Sequence, residues 1–265
     1  MIATDFEFDG EYLRNWGFMI CNMDQDGFKT VTSDSQISFD NVSLMHGKLF
    51  ELTTSKYNNN LSISFQICKR SDKSILTPIT AHEAREIKRW LNRPTFKKFK
   101  LLQPYWHDIY MMGSFNVENI MCGGKIFLLD LTFVSNRPYA LHEPITYYIN
   151  TTTENESYLL FDNSDEIGYI YPEMKITCLQ GGNLNITNSN ENRTTTILNC
   201  SINEVIIFSE NLIFSTSNPE HKIQNDFNYI FFRIANSYGN RKNVLTFSLP
   251  VIVELTYSPY VKAVM

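Results

Sequence analysis

The chain has 265 residues, of which 43% are hydrophobic and 14% are aromatic, and this composition excludes a long disordered protein. Its length suits two ordinary domains or one large sandwich. The net charge of −5 argues against a protein that grips nucleic-acid phosphates. Residues 1–142 carry 16 basic and 15 acidic residues, whereas residues 143–265 carry 7 and 13, and this uneven charge favours two domains.

The beginning of the chain alternates in the manner of a β-protein. Phe6 and Phe8 precede Gly10, a pattern that is typical of a β-hairpin. The clearest strand has four apolar residues at every second position: Leu61, Ile63, Phe65 and Ile67. Such alternation predicts strands with one face in a core.

The stretch T-A-H-E-A-R-E-I-K-R-W-L-N-R-P, from Thr80 to Pro94, predicts one well-capped helix over residues 80–92. Thr80 stands in the N-cap position, and Glu83 three residues later completes a capping box. Four residues form a narrow apolar stripe at helical spacing: Ala84, Ile87, Trp90 and Leu91. We expect this stripe to pack on an adjacent sheet, with Trp90 as its main anchor.

Three consecutive antiparallel strands are predicted beyond the helix, and residues 122–124 (C-G-G) predict the tight turn between the last two. Four residues of the last strand are expected on one buried face: Phe127, Leu129, Leu131 and Phe133. Pro138 and Pro144 end this pattern. We therefore expect residues 1–142 to form a β-sandwich or split-barrel-like domain with one helix and a β-hairpin, and residues 143–265 to form a second domain.

The second half contains only short apolar runs separated by polar turns. Their spacing of about 8–12 residues is typical of an antiparallel β-sandwich. No segment of this half has the periodicity of a helix, so the sequence predicts a second domain without helices.

The sequence offers no recognisable site for chemistry. The five histidines form no metal-binding motif, and no residue stands in a known nucleophile motif. We therefore predict no catalytic residue, no metal site and no cofactor. The five cysteines are scattered and odd in number, which favours reduced, half-buried thiols. No signal-peptide pattern or long apolar segment occurs, which predicts synthesis and folding in a cytoplasm.

A basic run on and after the helix is the sharpest charge feature: Arg85, Lys88, Arg89, Arg93, Lys97, Lys98 and Lys100. The first interpretation is a solvated helix face that continues into a protected edge strand. The second is a contact with another subunit, for which Arg85, Lys88 and Arg89 are the candidates. Nucleic-acid binding is the third and weakest interpretation.

Several segments occur in a characteristic order. They are F-x-F-D-G, W-G-F, the helix end R-E-I-K-R-W-L, then L-T-F-V-S-N-R-P-Y-A, I-Y-P-E-M-K-I, N-L-N-I-T, N-E-V-I-I-F and V-I-V-E-L-T-Y-S-P-Y. Each segment is weak by itself. Their order and spacing over essentially the whole chain resemble the distal tail protein (Dit) family of long-tailed phages.

This resemblance implies a non-enzymatic structural protein of the baseplate, located in the virion tail of a phage or a phage-derived particle. It implies a homo-hexameric ring that joins the tail tube protein to the tail-associated hub protein and keeps the channel continuous for the tape measure protein and the genome. The second domain would be a galectin-like β-sandwich to which receptor-binding or adhesin proteins attach. Neither a membrane nor a specific nucleic acid is among the expected partners.

The second domain is expected to be a structural bracket rather than a lectin of the galectin type. The three tryptophans, Trp16, Trp90 and Trp106, all lie in the first domain, and residues 190–193 (N-E-N-R) lack the histidine of a galectin sugar-binding strand. Two other functions stay open. One is a carbohydrate-binding adhesin or tail-fibre component that contacts the host surface, and the weaker one is a β-sandwich enzyme that acts on cell-wall polysaccharide.

Overall fold

The computed structural model describes residues 3–21, 37–43, 51–57, 60–71, 77–104, 106–209, 212–237 and 239–262. It is built from antiparallel sheets, which confirms the predicted mainly β class. The chain divides into two compact units. The first contains residues 1–142 and the residues from Val261 onward, and the second contains Glu143–Tyr260. Val261 thus lies with the first unit, whereas the sequence analysis assigned it to the second domain.

The first unit is dominated by one antiparallel sheet in which strands follow the order β2-β1-β7-β8-β9-β6-β3. Strands β4 and β5 pair with each other, and β10 pairs with β8. The strand bounds are β1 Asp5–Phe8, β2 Glu11–Tyr12, β3 Phe18–Cys21, β4 Ile37–Ser43, β5 Glu51–Tyr57, β6 Ser62–Lys69, β7 Lys97–Leu102, β8 Ile109–Cys122, β9 Lys125–Ser135 and β10 Ala140–His142. A 3-10 helix, Leu13–Trp16, joins β2 to β3, and helix α1 spans Ala81–Leu91.

The core of the first unit is aromatic. Phe99 lies at its centre, with ring centroids 4.4 Å from Phe133, 5.1 Å from Phe115 and 5.6 Å from Phe6. Edge-on and tilted arrangements at these distances are favourable beyond the area that they bury. The predicted inward face of β6 is completely buried: Leu61, Ile63, Phe65 and Ile67. On β9, Leu129, Leu131 and Phe133 are also buried, while Phe127 is half-buried.

Strands β8 and β9 form a long hairpin around the predicted turn. Gly123 and Gly124 have φ values of 56° and 76°, so they supply the positive φ that a two-residue hairpin turn of type I′ requires. Val117 is the last buried residue of β8, and Leu128 is the first of β9. Residues 118–125, here called the hairpin tip, are exposed or half-buried. The hairpin therefore extends past the hydrophobic core.

In the described residues, the second unit contains sheets of five, four and two strands. Their orders are β11-β21-β14-β17-β18, β12-β20-β15-β16 and β13-β19. The strand bounds are β11 Ile145–Asn150, β12 Glu156–Phe161, β13 Gly168–Ile170, β14 Glu173–Cys178, β15 Gly182–Asn188, β16 Arg193–Cys200, β17 Val205–Ser209, β18 Leu212–Ser215, β19 Ile234–Asn236, β20 Lys242–Phe247 and β21 Val251–Tyr257. The last strand, β22 Tyr260–Val261, belongs to none of these three sheets.

The prediction of a second domain without helices is wrong, because helix α2 spans Ile223–Asp226. This single turn is anchored by Ile223, which is only 2% exposed. Four residues are too few for helical periodicity to register in a sequence, so packing rather than pattern produces this turn. In the described part of the chain, no helix is long and apolar enough to span a membrane.

Candidate assembly surfaces

Helix α1 begins at the predicted capping box. The Thr80 hydroxyl accepts a hydrogen bond from the Glu83 amide at 3.2 Å, and the Glu83 carboxylate accepts one from the Thr80 amide at 2.9 Å. Lys69 Nζ on β6 also donates to Glu83, at 2.6 Å. This bond, with the hydrogen bonds from Thr80, lowers the pKa of Glu83 from 4.5 to about 2. The helix start is therefore fixed to the sheet by charge as well as by its cap.

The inner face of α1 consists of the four residues of the predicted stripe, and all are at most 4% exposed: Ala84, Ile87, Trp90 and Leu91. Trp90 Nε1 donates a hydrogen bond to the Phe8 carbonyl at 3.2 Å. Its indole ring lies parallel to Phe6, with centroids 5.7 Å apart, and stacks on Trp16 at 5.3 Å. Trp90 thus joins the helix to β1 and to the 3-10 helix.

The outer face of α1 is positively charged. Arg85 is exposed and Lys88 is half-buried, and neither forms an ion pair within the part of the chain that the structure describes. Arg89 is 79% exposed and lies 3.3 Å from Glu86 on the same helix. An exposed pair of this kind contributes little stability, so Arg89 can change partner at small cost.

The basic residues that follow the helix have structural contacts. Arg93 lies 2.7 Å and Lys97 3.2 Å from the Asp9 carboxylate, which belongs to the turn between β1 and β2. Lys98 lies over the ring of Tyr110 at 4.3 Å. The predicted basic run therefore divides into two groups. One forms the outer face of the helix, and the other makes contacts with residues of the first unit's sheet and its β1–β2 turn.

A cleft of about 490 Å³ lies between the 3-10 helix and α1. Trp16, which is 37% exposed, forms one wall, and the other lining residues are mainly charged or polar: Glu11, Asn15, Glu86, Arg89, Trp90 and Arg93. Sequence reasoning missed the Trp16–Trp90 stack because the two residues belong to elements that are far apart in the chain. The W-G pair, with Gly17 in the left-handed region at φ 76°, was the only local signal.

Residues 190–193 of the second unit form internal contacts. Asn190 donates to the Ala235 carbonyl at 3.1 Å, and Arg193 donates to the Phe231 carbonyl at 3.2 Å. Glu191 forms an ion pair with Arg233 at 2.5 Å. These polar side chains hold the loop before β19 against β15 and β16.

A buried charged cluster lies beside α2. His221 Nδ1 is 2.6 Å from Glu204 Oε1, and His221 Nε2 is 3.3 Å from Asp226 Oδ2. Burial disfavours the charged imidazole, but the hydrogen bond and charge of Glu204 outweigh it and raise the pKa of His221. Burial would also raise the pKa of Glu204, but hydrogen bonds from Ser201, Ser215 and His221 lower it. Each group therefore favours the charged form of the other.

The described residues contain no group of three or more His, Cys, Asp or Glu side chains arranged to hold a metal ion. The five cysteines are free thiols. Cys68, Cys178 and Cys200 are buried, Cys21 is half-buried and Cys122 is exposed at the hairpin tip.

The fold is that of a solved phage protein. The chain is similar to the crystal structure of the SPP1 Dit (gp 19.1) protein, described as a paradigm of the hub adsorption apparatus in phages that infect Gram-positive bacteria. The TM-score is 0.60 with 11% sequence identity, over 97% of this chain and 99% of that chain. The likeness confirms the predicted resemblance to distal tail proteins at the level of the fold.

Family comparisons assign the same class from sequence. Residues 1–137 match the family described as "Phage tail protein N-terminal domain", and residues 139–257 match "Phage tail C-terminal domain". No curated protein matches the sequence. Because the two families together cover nearly the whole chain, it belongs to this family of phage tail proteins and is a structural component of the virion tail.

Proposed function

We propose that this chain is a distal tail protein, the hub of the baseplate. Six copies form a ring that joins the tail tube protein to the tail-associated hub protein, with a lumen that continues the channel for the tape measure protein and the genome. The observation that carries this proposal is the fold match to SPP1 Dit over 97% of this chain and 99% of that chain, so both units have a counterpart.

The first unit provides surfaces that suit a closed ring. A ring uses two different patches on each subunit, each of which contacts its complement on a neighbour. The outer face of α1, with Arg85, Lys88 and Arg89, is one charged patch that the fold itself does not use. The hairpin tip is a second exposed surface, and it adds no residue to the core. We assign the ring contacts to these two surfaces.

The second unit serves as a galectin-like bracket for receptor-binding or adhesin proteins. The polar residues Asn190, Glu191 and Arg193 are engaged in contacts within the unit, which supports a bracket over a lectin of the galectin type. The role is one of assembly, without a catalytic step or a cofactor. The buried His221–Glu204 pair fits this role because it stabilises a loop.

Light scattering of the purified chain, followed by negative-stain imaging, tests the ring. The expected mass is about six times the 30.8 kDa of one chain, with particles that have a central hole. A monomer that assembles only when the tail tube or hub protein is added would also support the proposal. A monomer that ignores both proteins but binds a host-wall glycan would overturn it in favour of the adhesin.

A further inference from the structure

Two buried cysteines lie at one corner of the second unit. Cys178 ends β14 in the five-stranded sheet, and Cys200 ends β16 in the four-stranded sheet. After Cys178 the chain crosses to β15 in the four-stranded sheet, and after Cys200 it crosses back to β17 in the five-stranded sheet. The two crossings lie side by side, which places one cysteine from each sheet at the same corner.

Backbone hydrogen bonds hold this corner in place. The Cys178 amide donates to the Glu204 carbonyl at 2.9 Å, and the Asn203 amide donates to the Cys178 carbonyl at 2.8 Å. Both backbone polar groups of Cys178 are therefore bonded to the segment that follows Cys200. The two thiols are 0% and 4% exposed, and Cys200 pairs in the sheet with Gly182, which lies just after Cys178 in the chain. Cys200 Sγ also contacts the Ile197 carbonyl at 3.6 Å.

We propose that Cys178 and Cys200 form an inter-sheet disulfide when the tail leaves the reducing cytoplasm. Intracellular glutathione and thioredoxin keep such a pair reduced during assembly, whereas the medium outside the host permits disulfides. The predicted free thiols are thus the state of the newly made protein. The cross-link makes the second unit more resistant to unfolding in the released particle, because it connects its two main sheets.

A small oxidant such as hydrogen peroxide can complete the reaction at a buried site. The Cys200 thiolate attacks one peroxide oxygen, the O–O bond breaks, and the departing hydroxide takes a proton to form water, leaving a sulfenic acid. The Cys178 sulfur then attacks the Cys200 sulfur, the S–O bond breaks, and the hydroxide released takes the Cys178 proton to form a second water. Two thiols lose two electrons, and one peroxide gains them.

The environments of the two thiols suit these different roles. The pKa of the Cys200 thiol is lowered by its interaction with Cys178 and by a backbone hydrogen bond with Leu184, which together outweigh burial. The same interaction and burial raise the pKa of the Cys178 thiol. We assign the first attack to Cys200 and the resolving step to Cys178, and the reaction balances in the same way if the two exchange roles.

Thiol counting on the full-length chain tests this proposal. A Cys122→Ser background removes the exposed thiol and leaves four. After peroxide treatment and an acid quench, we expect the count in denaturant to fall from four to two and to return to four with dithiothreitol. Mass spectrometry should find a link between the tryptic peptides 176–193 and 194–222, which carry Cys178 and Cys200. The Tm of the oxidised protein should rise, and dithiothreitol should reverse the rise.

Matched variants define the outcomes. Both variants are made in the Cys122→Ser background. Cys68→Ala removes another buried cysteine, so the link should still form and the thiol count should fall from three to one. Cys178→Ala should form no link. If Cys178→Ala does not fold, peptide mapping of the Cys122→Ser protein decides the question. Four persistent thiols, a loss of thiols without a link, or a link between other cysteines would overturn the proposal.

Discussion

His221 Nδ1 lies 2.6 Å from Glu204 Oε1, although the two side chains are only 4% and 0% exposed. The other ring nitrogen lies 3.3 Å from Asp226 Oδ2, close enough for charge attraction but without a well-aligned hydrogen bond. Only the protonated imidazole is attracted to both carboxylates. The pair joins the crossing after β16 to the segment that leads into α2, so a buried charge pair holds this end of the second unit together.

The stability of the second unit should therefore depend on pH. The pKa of His221 is raised from 6.5, so its contribution is complete below pH 6.5 and is lost as pH rises through the folded-state value. The pKa of Glu204 is lowered from 4.5, so its contribution is complete above pH 4.5 and is lost as pH falls through the folded-state value. The joint stabilisation is greatest between these limits, and urea unfolding across a pH series would reveal it.

Removal of the histidine should leave a buried carboxylate without its counter-charge. We expect His221→Ala to lower the free energy of unfolding by about 3–5 kcal/mol at pH 6. His107→Ala is the control, because His107 is 78% exposed beside Asp108 and should cost little. Equal losses from the two variants, or a loss for His221→Ala that does not change with pH, would contradict the assignment.

Glu83 should make the first unit sensitive to acid. Its pKa is lowered from 4.5 to about 2, chiefly by Lys69, so its contribution is present above pH 4.5 and disappears as pH falls toward 2. Glu83→Gln should cost about 1 kcal/mol at pH 7, because solvent screens part of the charge interaction. The cost should shrink between pH 4 and pH 3 in urea unfolding. Glu86→Gln, on the same helix, is the control and should cost less at pH 7, because Glu86 pairs only with Arg89, which is 79% exposed.

Trp90 should be the most sensitive residue of α1. Trp90→Ala removes a buried indole and leaves the Phe8 carbonyl without its donor, so we expect a loss of about 3–5 kcal/mol in urea unfolding. Trp16→Ala should cost less, because the Trp16 side chain is 37% exposed and lies at the edge of the same stack. A smaller loss for Trp90→Ala than for Trp16→Ala would contradict this prediction, because it would mean that the Trp16–Trp90 stack stabilises the cleft rather than the core.

Charge reversal on the outer face of α1 should affect assembly and not folding. The double variant Arg85→Glu, Arg89→Glu should keep the circular dichroism and Tm of the wild type, because neither residue is buried. Under the proposed function, its mass by light scattering should fall below that of the ring. Reversal of Lys175 and Lys242, which are exposed on the second unit, is the matched control and should leave the mass unchanged. Unchanged assembly of the α1 variant would remove this face from the contact.

Local sequence signals predicted the elements better than the contacts between them. The capping box at Thr80 and Glu83 predicts the start of α1, and the alternation in β6 and β9 predicts which side chains are buried. These features depend on residues close in the chain, where spacing determines geometry. The family resemblance added the arrangement of the whole, which no local pattern contains.

The missed features all join distant segments. Arg93 was grouped with a solvated basic run, but it binds Asp9, a residue 84 positions away. His221 and Glu204 gave no sequence signal, because neither belongs to a motif and their separation matches no helix or strand period. The position of Cys178 and Cys200 at one corner follows from how two strand crossings pack, which spacing alone does not determine.

The exposure of the hairpin tip allows its sequence to vary among related tail proteins. Core packing constrains β8 as far as Val117 and β9 from Ile126 onward. Within the hairpin tip, residues 118–125, no side chain belongs to the core, and the two glycines of the turn are the main fixed requirement. Under the proposed function, a phage lineage can therefore change residues 118–122 to match changes in a neighbouring tail protein while the fold of the first unit remains intact. New compatibilities between tail parts can thus arise one residue at a time.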